Sequence, residues 1–161
     1  MTSAIATLNQ GYTFSTTISA GGQVATQATG RWTGNTSEFV VTSGGTLITY
    51  RTIPPRSWVL QPGQGWAEVN GSVPSGSPLD TLKAPIQLSV ASQDGGTLDM
   101  SATYPAAVLG LAGSGSVPVT LTIAPDGTLT AAYDAPTGSA SSKTTISPNP
   151  GQSPVPAPSP A

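Results

Sequence analysis

No stretch of this chain longer than ten residues is free of both Gly and Pro, and that stretch is residues 1–10. A globular helix averages about 11–12 residues, and an interior Gly or Pro costs it roughly 1–3 kcal/mol. With 19 Gly and 16 Pro spread along 161 residues, an all-α fold is excluded. A doubly wound α/β fold with full crossover helices is excluded for the same reason. A membrane-spanning helix needs about 20 apolar residues in a row, and no such run exists. The length suits one domain around one core.

Charge narrows the function classes. Five basic and seven acidic residues make up 7% of the chain, with a net charge of −2. An average soluble protein carries about 25% charged residues. Nucleic-acid binding depends on many phosphate-neutralising cations, which five scattered ones do not supply. Three Trp, four Tyr and two Phe provide material for a core, which argues against charge-driven disorder. The absence of Cys and His removes the usual zinc and haem sites, Cys nucleophiles and His general bases. No cofactor is expected. Low charge with abundant Thr, Ser, Ala, Gly and Pro matches an exported envelope or extracellular protein. Residues 1–8 have neither a basic segment nor a sustained apolar one, so they read as a disordered leader and not as a signal peptide. Either the protein is cytosolic or, as the composition favours, an export signal lies upstream of Met1.

From residue 9 to 147 the chain reads as short strands divided by turn chemistry. In 117–123, Val117, Val119, Leu121 and Ile123 point to one face, and Thr120 and Thr122 to the other. Asp126-Gly127 then forms a hairpin turn, after which Leu129, Ala131 and Tyr133 share a face. In the first strand Tyr12, Phe14, Thr16 and Ile18 alternate with Thr13, Ser15 and Thr17. It turns through Ala20-Gly21-Gly22 into a strand near 24–32. Further strands are predicted at 38–42, 46–53, 57–60, 65–70, 86–91, 97–104 and 139–147. Two segments begin with Pro and read as short helices of one to two turns, 78–84 after a Ser77 cap and 105–111. They would turn Leu79, Leu82, Val108, Leu109 and Leu111 toward the sheet. One-faced alternation predicts an all-β, strongly curved antiparallel sheet, a half-barrel or open barrel; a two-sheet sandwich shares the pattern. Residues 148–161 hold six prolines in 14 positions and read as a disordered tail, either solvated with no specific task or serving as a spacer or glycosylated stalk.

Catalytic signatures are missing. There is no nucleophile elbow, Ser-Lys dyad, Walker loop or dinucleotide fingerprint. Asp94, Asp126 and Asp134 occupy turn contexts, and Asp94 with Asp99 lacks calcium-loop spacing. The chain does not read as an enzyme. Arg51 and Arg56 bracket Ile53-Pro54-Pro55, where they would either contact an anionic headgroup or be solvated. Trp32, Trp58 and Trp66 read as core, as the lining of a cavity, or as an exposed glycan platform.

The order of these segments resembles a known family. Tyr12-Thr-Phe-Ser-Thr-Thr is followed by Gly30-x-Trp32-x-Gly34, Thr49-Tyr50-Arg51, Ser57-Trp58-Val59 and Gly65-Trp66-Ala67-Glu68-Val69. Pro78-Leu-Asp-Thr-Leu, Ala102-Thr-Tyr-Pro-Ala-Ala-Val-Leu and the 117–129 hairpin complete the series. The pattern is similar to the actinobacterial cell-envelope lipoproteins of the LppX and LprG kind, relatives of the carrier LolA. That resemblance implies a half-barrel over residues 9–147 that receives acyl chains on its apolar concave side beneath a helical lid. It also implies transport between membranes and an N-terminal lipidated Cys. This chain lacks that Cys, the longer helix before the first strand, and any later helix beyond two turns.

The functional expectation is a lipid or a lipidated partner bound in the apolar concavity. A sheet with one apolar face must cover it, and the helical turns here are short. Inward candidates are Tyr12, Phe14, Ile18, Trp32, Trp58, Leu60, Trp66, Leu88, Leu98, Met100, Val119, Leu121 and Ile123. The competing expectation is a wall-associated structural or glycan- or protein-binding module without a cavity.

Overall fold

The computed structural model describes residues 6–69, 77–111, 114–136 and 138–159. Strand accounts for 58% and helix for 8%, which makes the chain a β-dominated protein. The strands are β1 (Tyr12–Ala20), β2 (Gln23–Thr33), β3 (Thr36–Ser43), β4 (Thr46–Ile53), β5 (Arg56–Leu60) and β6 (Ala67–Glu68), followed by β7 (Gln87–Asp94), β8 (Thr97–Pro105), β9 (Ser116–Ile123), β10 (Leu129–Asp134) and β11 (Ala140–Pro148). Besides a helical stretch at residues 6–8, the helical elements are α1 (Pro78–Thr81) and the 3-10 turn η1 (Ala106–Leu109).

All eleven strands form one antiparallel sheet in the order β6-β5-β4-β3-β2-β1-β11-β10-β9-β8-β7, not closed into a barrel. Two meanders, β1–β6 and β7–β11, are joined where β1 pairs with β11. The predicted sheet, its hairpins and both helical turns are therefore present. The sandwich alternative is not.

Register defines two faces. On the inner face a continuous apolar row crosses the sheet: Leu98, Ile123, Leu129, Ile146, Phe14, Gly30, Phe39, Tyr50, Val59 and Ala67 are successive cross-strand partners. Tyr12 and Trp32 stack beside it with ring centroids 6.5 Å apart. Phe39 stacks on Tyr50 at 4.9 Å. The outer face carries Thr and Ser on most strands, as the alternation predicts.

The strand order also explains the lid. β6 and β7 lie at opposite edges, so their connection joins the two edges, and α1 within it packs on the inner face through Leu79. Pro78 begins α1 and Ser77 caps it, its Oγ accepting from the Asp80 amide at 3.2 Å. The same Oγ accepts from the buried Tyr12 hydroxyl at 2.9 Å, tying the lid to β1. η1 ends at Gly110, whose φ of +72° any side chain would strain.

Three sequence readings change at the margins. Residues 6–8 are helical and Leu8 is 1% exposed in the core, so the domain begins before residue 9. Residues 1–5 lie outside the described residues. The proline-rich tail is not simply solvated: Val155 is 3% exposed and its amide donates to Thr36 Oγ1 at 3.1 Å. Predicted strand 65–70 reduces to β6, with residue 70 outside the described residues.

Ser37, on the inner face opposite Trp32 and Thr52, has a fully buried Oγ without a hydrogen-bond partner. An unsatisfied buried hydroxyl carries a desolvation cost of about 1–3 kcal/mol. Ser37→Ala is therefore expected to leave stability unchanged or raise it by about 1 kcal/mol in urea melts. A loss above 1 kcal/mol would show that this hydroxyl is satisfied in solution.

Candidate functional site

The inner face is packed solid at one end and hollow at the other. Where the apolar row and the Tyr12–Trp32 stack lie, side chains fill the space against Leu8 and Leu79. Two residues further along β1, the row changes to Thr16, Thr144 and Ala131, and then to Ile18, Ser142 and Tyr133. The small side chains among them, Thr16, Thr144, Ala131 and Ser142, leave a half-open cavity of about 330 Å3. That volume is at the lower end of the roughly 300–1,000 Å3 of small-molecule pockets.

The floor of the cavity is formed by β1, β11 and β10. Its roof comes from Pro78, Thr81 and Leu82 after the α1 cap, and from Val108, Leu109 and Gly110 of η1. Tyrosine hydroxyls hold both roof segments down. Tyr104 Oη donates to the Leu82 carbonyl at 2.8 Å, and Tyr133 Oη to the Leu109 carbonyl at 3.3 Å. Thr16 and Thr144 share a hydrogen bond of 2.9 Å across the floor, which satisfies their hydroxyls mutually and leaves their methyl groups as lining. At the rim, Ile18 and Val108 are 38% and 43% exposed. The charged pair nearest α1, Lys83 and Asp80, is 2.6 Å apart, and the lysine holds the Asp80 carboxyl below its usual range.

Burial pushes the Tyr12 hydroxyl up to about 12, partly opposed by its bond to Ser77. Burial also raises Tyr104. A larger depression of about 700 Å3 contains Thr17, Ser19, Thr120, Asp134, Ser141 and Lys143 of the outer face. Its hydroxyl-rich lining suits water better than an apolar ligand, so the smaller inner-face cavity is the stronger candidate.

The expected inward residues divide into three groups. Tyr12, Phe14, Met100, Val119, Leu121 and Ile123 face inward but are buried in packed core, with Trp32 and Leu98 packed against them. Ile18 lines the cavity, and Leu88 faces inward at the β7 edge, 40% exposed. Trp58, Leu60 and Trp66 correct the sequence reading. Register pairs Tyr50 with Val59 and Arg51 with Trp58, which turns Trp58 and Leu60 to the outer face. Trp66 lies on that face too, its ring 4.6 Å beneath the Arg51 guanidinium.

Arg51 and Arg56 are corrected with them. Arg51 pairs with Glu38 and Arg56 lies 3.8 Å from Glu68, both on the outer face and away from the cavity rim. Leu82, Val108 and Leu109 line the cavity although only their direction toward the sheet was legible, as does Tyr133, legible only as sharing a face with Leu129 and Ala131. The available signal was the pair of Pro-initiated turns, which cover part of the sheet.

Among the described residues no helix is long and apolar enough to cross a membrane. Compared with known protein families and with curated proteins, the chain matches none.

Proposed function

We propose that this domain is a non-enzymatic binder of an acyl chain or a lipidated partner, which enters the inner-face cavity at the Ile18–Val108 rim. The observation that carries the reading is an apolar-walled cavity beneath a roof held by only two short segments. Each buried methylene contributes about 0.8 kcal/mol, so six of them supply about 5 kcal/mol without a polar contact. The cavity suits one chain end and not several complete chains. Exposed Ile86, Leu88 and Val90 at the β7 edge add apolar surface for a partner.

Binding fits better than catalysis because most carboxylates are already engaged. Asp80 pairs with Lys83, Asp99 accepts from Ser92 and Thr122, Asp126 caps a turn, and Glu38 and Glu68 pair with arginines. The composition supports an exported, envelope-associated setting. It also argues against nucleic acid as a partner.

Native mass spectrometry followed by organic extraction tests the reading, together with titration of a fluorescent fatty acid. Ile18→Asp places a carboxylate at the rim and is expected to weaken fatty-acid binding at least tenfold with little loss of stability. A homogeneous ligand-free mass with no fatty-acid response refutes the acyl-chain reading. The outer-face position of Trp58 and Trp66 favours a second reading, a glycan- or protein-binding module. It predicts iodide quenching of those tryptophans and retention on polysaccharide.

A further inference from the structure

The outer face carries a second arrangement, independent of the cavity. Four of the five cations lie there, and Arg51 is the most constrained, ion-paired with Glu38 and seated over the Trp66 ring. An arginine paired with a carboxylate and seated over an aromatic ring has its remaining N–H groups restricted in direction. Arg51 Nη1 uses one of them, donating to the Pro156 carbonyl over 3.4 Å. One residue earlier, the Val155 amide donates to Thr36 Oγ1, whose own proton goes to the Thr33 carbonyl at 3.0 Å. Val155 is buried between these contacts, whereas Pro154 and Pro156 beside it are exposed.

The pattern suits the chemistry of the tail. In Ser153-Pro-Val-Pro-Ala-Pro158 every second residue lacks an amide proton, so the segment offers carbonyls and few donors. A proline-rich strand is recognised by an aromatic-backed groove with fixed side-chain donors, and its stiffness keeps the ordering cost low. Here Thr36 meets the one buried amide and Arg51 meets the following carbonyl. We propose that the Thr36–Arg51–Trp66 surface is a binding site for proline-rich extended peptides, occupied in cis by the chain's own residues 153–158. Tethering supplies an effective concentration in the millimolar range, so the cis complex forms even though the isolated peptide binds weakly.

The test uses the full chain and a synthetic peptide with the sequence of residues 153–159. Val155→Asn in the protein should release the tail and open the site. Titration followed by tryptophan emission and amide chemical shifts should then show saturable millimolar binding, at least tenfold tighter than to the unsubstituted chain. Thr36→Val added to Val155→Asn should abolish that binding, as should the Val155→Asn change in the peptide. Equal binding to both chains, or none to the folded Val155→Asn chain at about 10 mM peptide, overturns the proposal. Hydrogen exchange of the Val155 amide in the unsubstituted chain gives a check that needs no variant. At least tenfold protection relative to the free peptide is expected, and exchange at the free-peptide rate overturns the site.

Discussion

Gly30→Ala is expected to remove about 3 kcal/mol of stability, observed as a fall in melting temperature of roughly 10 °C. Gly30 sits in the inner-face row between Phe14 of β1 and Phe39 of β3. A Cβ placed there would lie 2.5 Å from both the Phe39 Cβ and the Glu38 carbonyl oxygen, and 2.8 Å from the Phe39 Cα. Two of these three atoms are backbone, so relief requires the β2–β3 ladder to part and not merely a rotamer change. The missing side chain is covered by its neighbours, since the Phe14 and Phe39 rings stand 6.4 Å apart across the gap. Parting those strands would also loosen the Phe39–Tyr50 stack. Because domains are stable by only about 5–15 kcal/mol, such a loss is a large share of the whole. Gly30→Val should prevent folding. A Gly30→Ala protein melting within about 3 °C of the parent would show that β2 and β3 are further apart in solution.

Alkaline unfolding should begin well below the pH at which arginine titrates, and Tyr12 should drive it. The Tyr12 hydroxyl ionises near 10 in an unfolded chain and near 12 when folded. The folded state therefore holds the proton more tightly. This contribution to stability is complete below pH 10 and is lost as the pH rises from 10 to 12. Two pH units correspond to about 3 kcal/mol. Ionisation also places a charge where Ser77 ties the lid to β1, so the roof of the cavity should loosen together with the core. Tyr12→Phe costs about 1 kcal/mol at neutral pH by removing that bond, yet should flatten the alkaline limb. Raised Tyr104 leaves a smaller residual slope. Identical alkaline limbs for parent and Tyr12→Phe in urea titrations would place the sensitivity elsewhere.

Much of the fold was legible because alternation is a local property. In β1 and β9 one set of positions is mostly apolar and the other is mostly Thr or Ser, so the inner face follows from period two alone. The helical turns were equally readable, since Ser77-Pro78 and Pro105 supply local start signals. β5 carries no such bias. Its sequence Ser-Trp-Val-Leu offers an apolar residue to either face, and only pairing with β4 sends Val59 inward and Trp58 outward. A shift of one residue would reverse them, which is why the tryptophans misled the site assignment.

What the residues determined by themselves was the class of the protein: short strands, one apolar face, and turns at Gly and Pro. Whether that face would be filled or hollow depended on which distant segments cross it. Leu79 and Leu82 are brought over the inner face because the β6–β7 connection joins opposite edges of an open sheet, and Leu109 because the β8–β9 connection folds back as η1. The tail obeys the same logic. Its composition forbids a ladder or an independent core, yet Val155 is buried because Thr36 and Arg51, over 100 residues earlier, meet it. Periodicity is written in neighbours along the chain, whereas enclosure is a relation between surfaces, and that relation exists only once the sheet has formed.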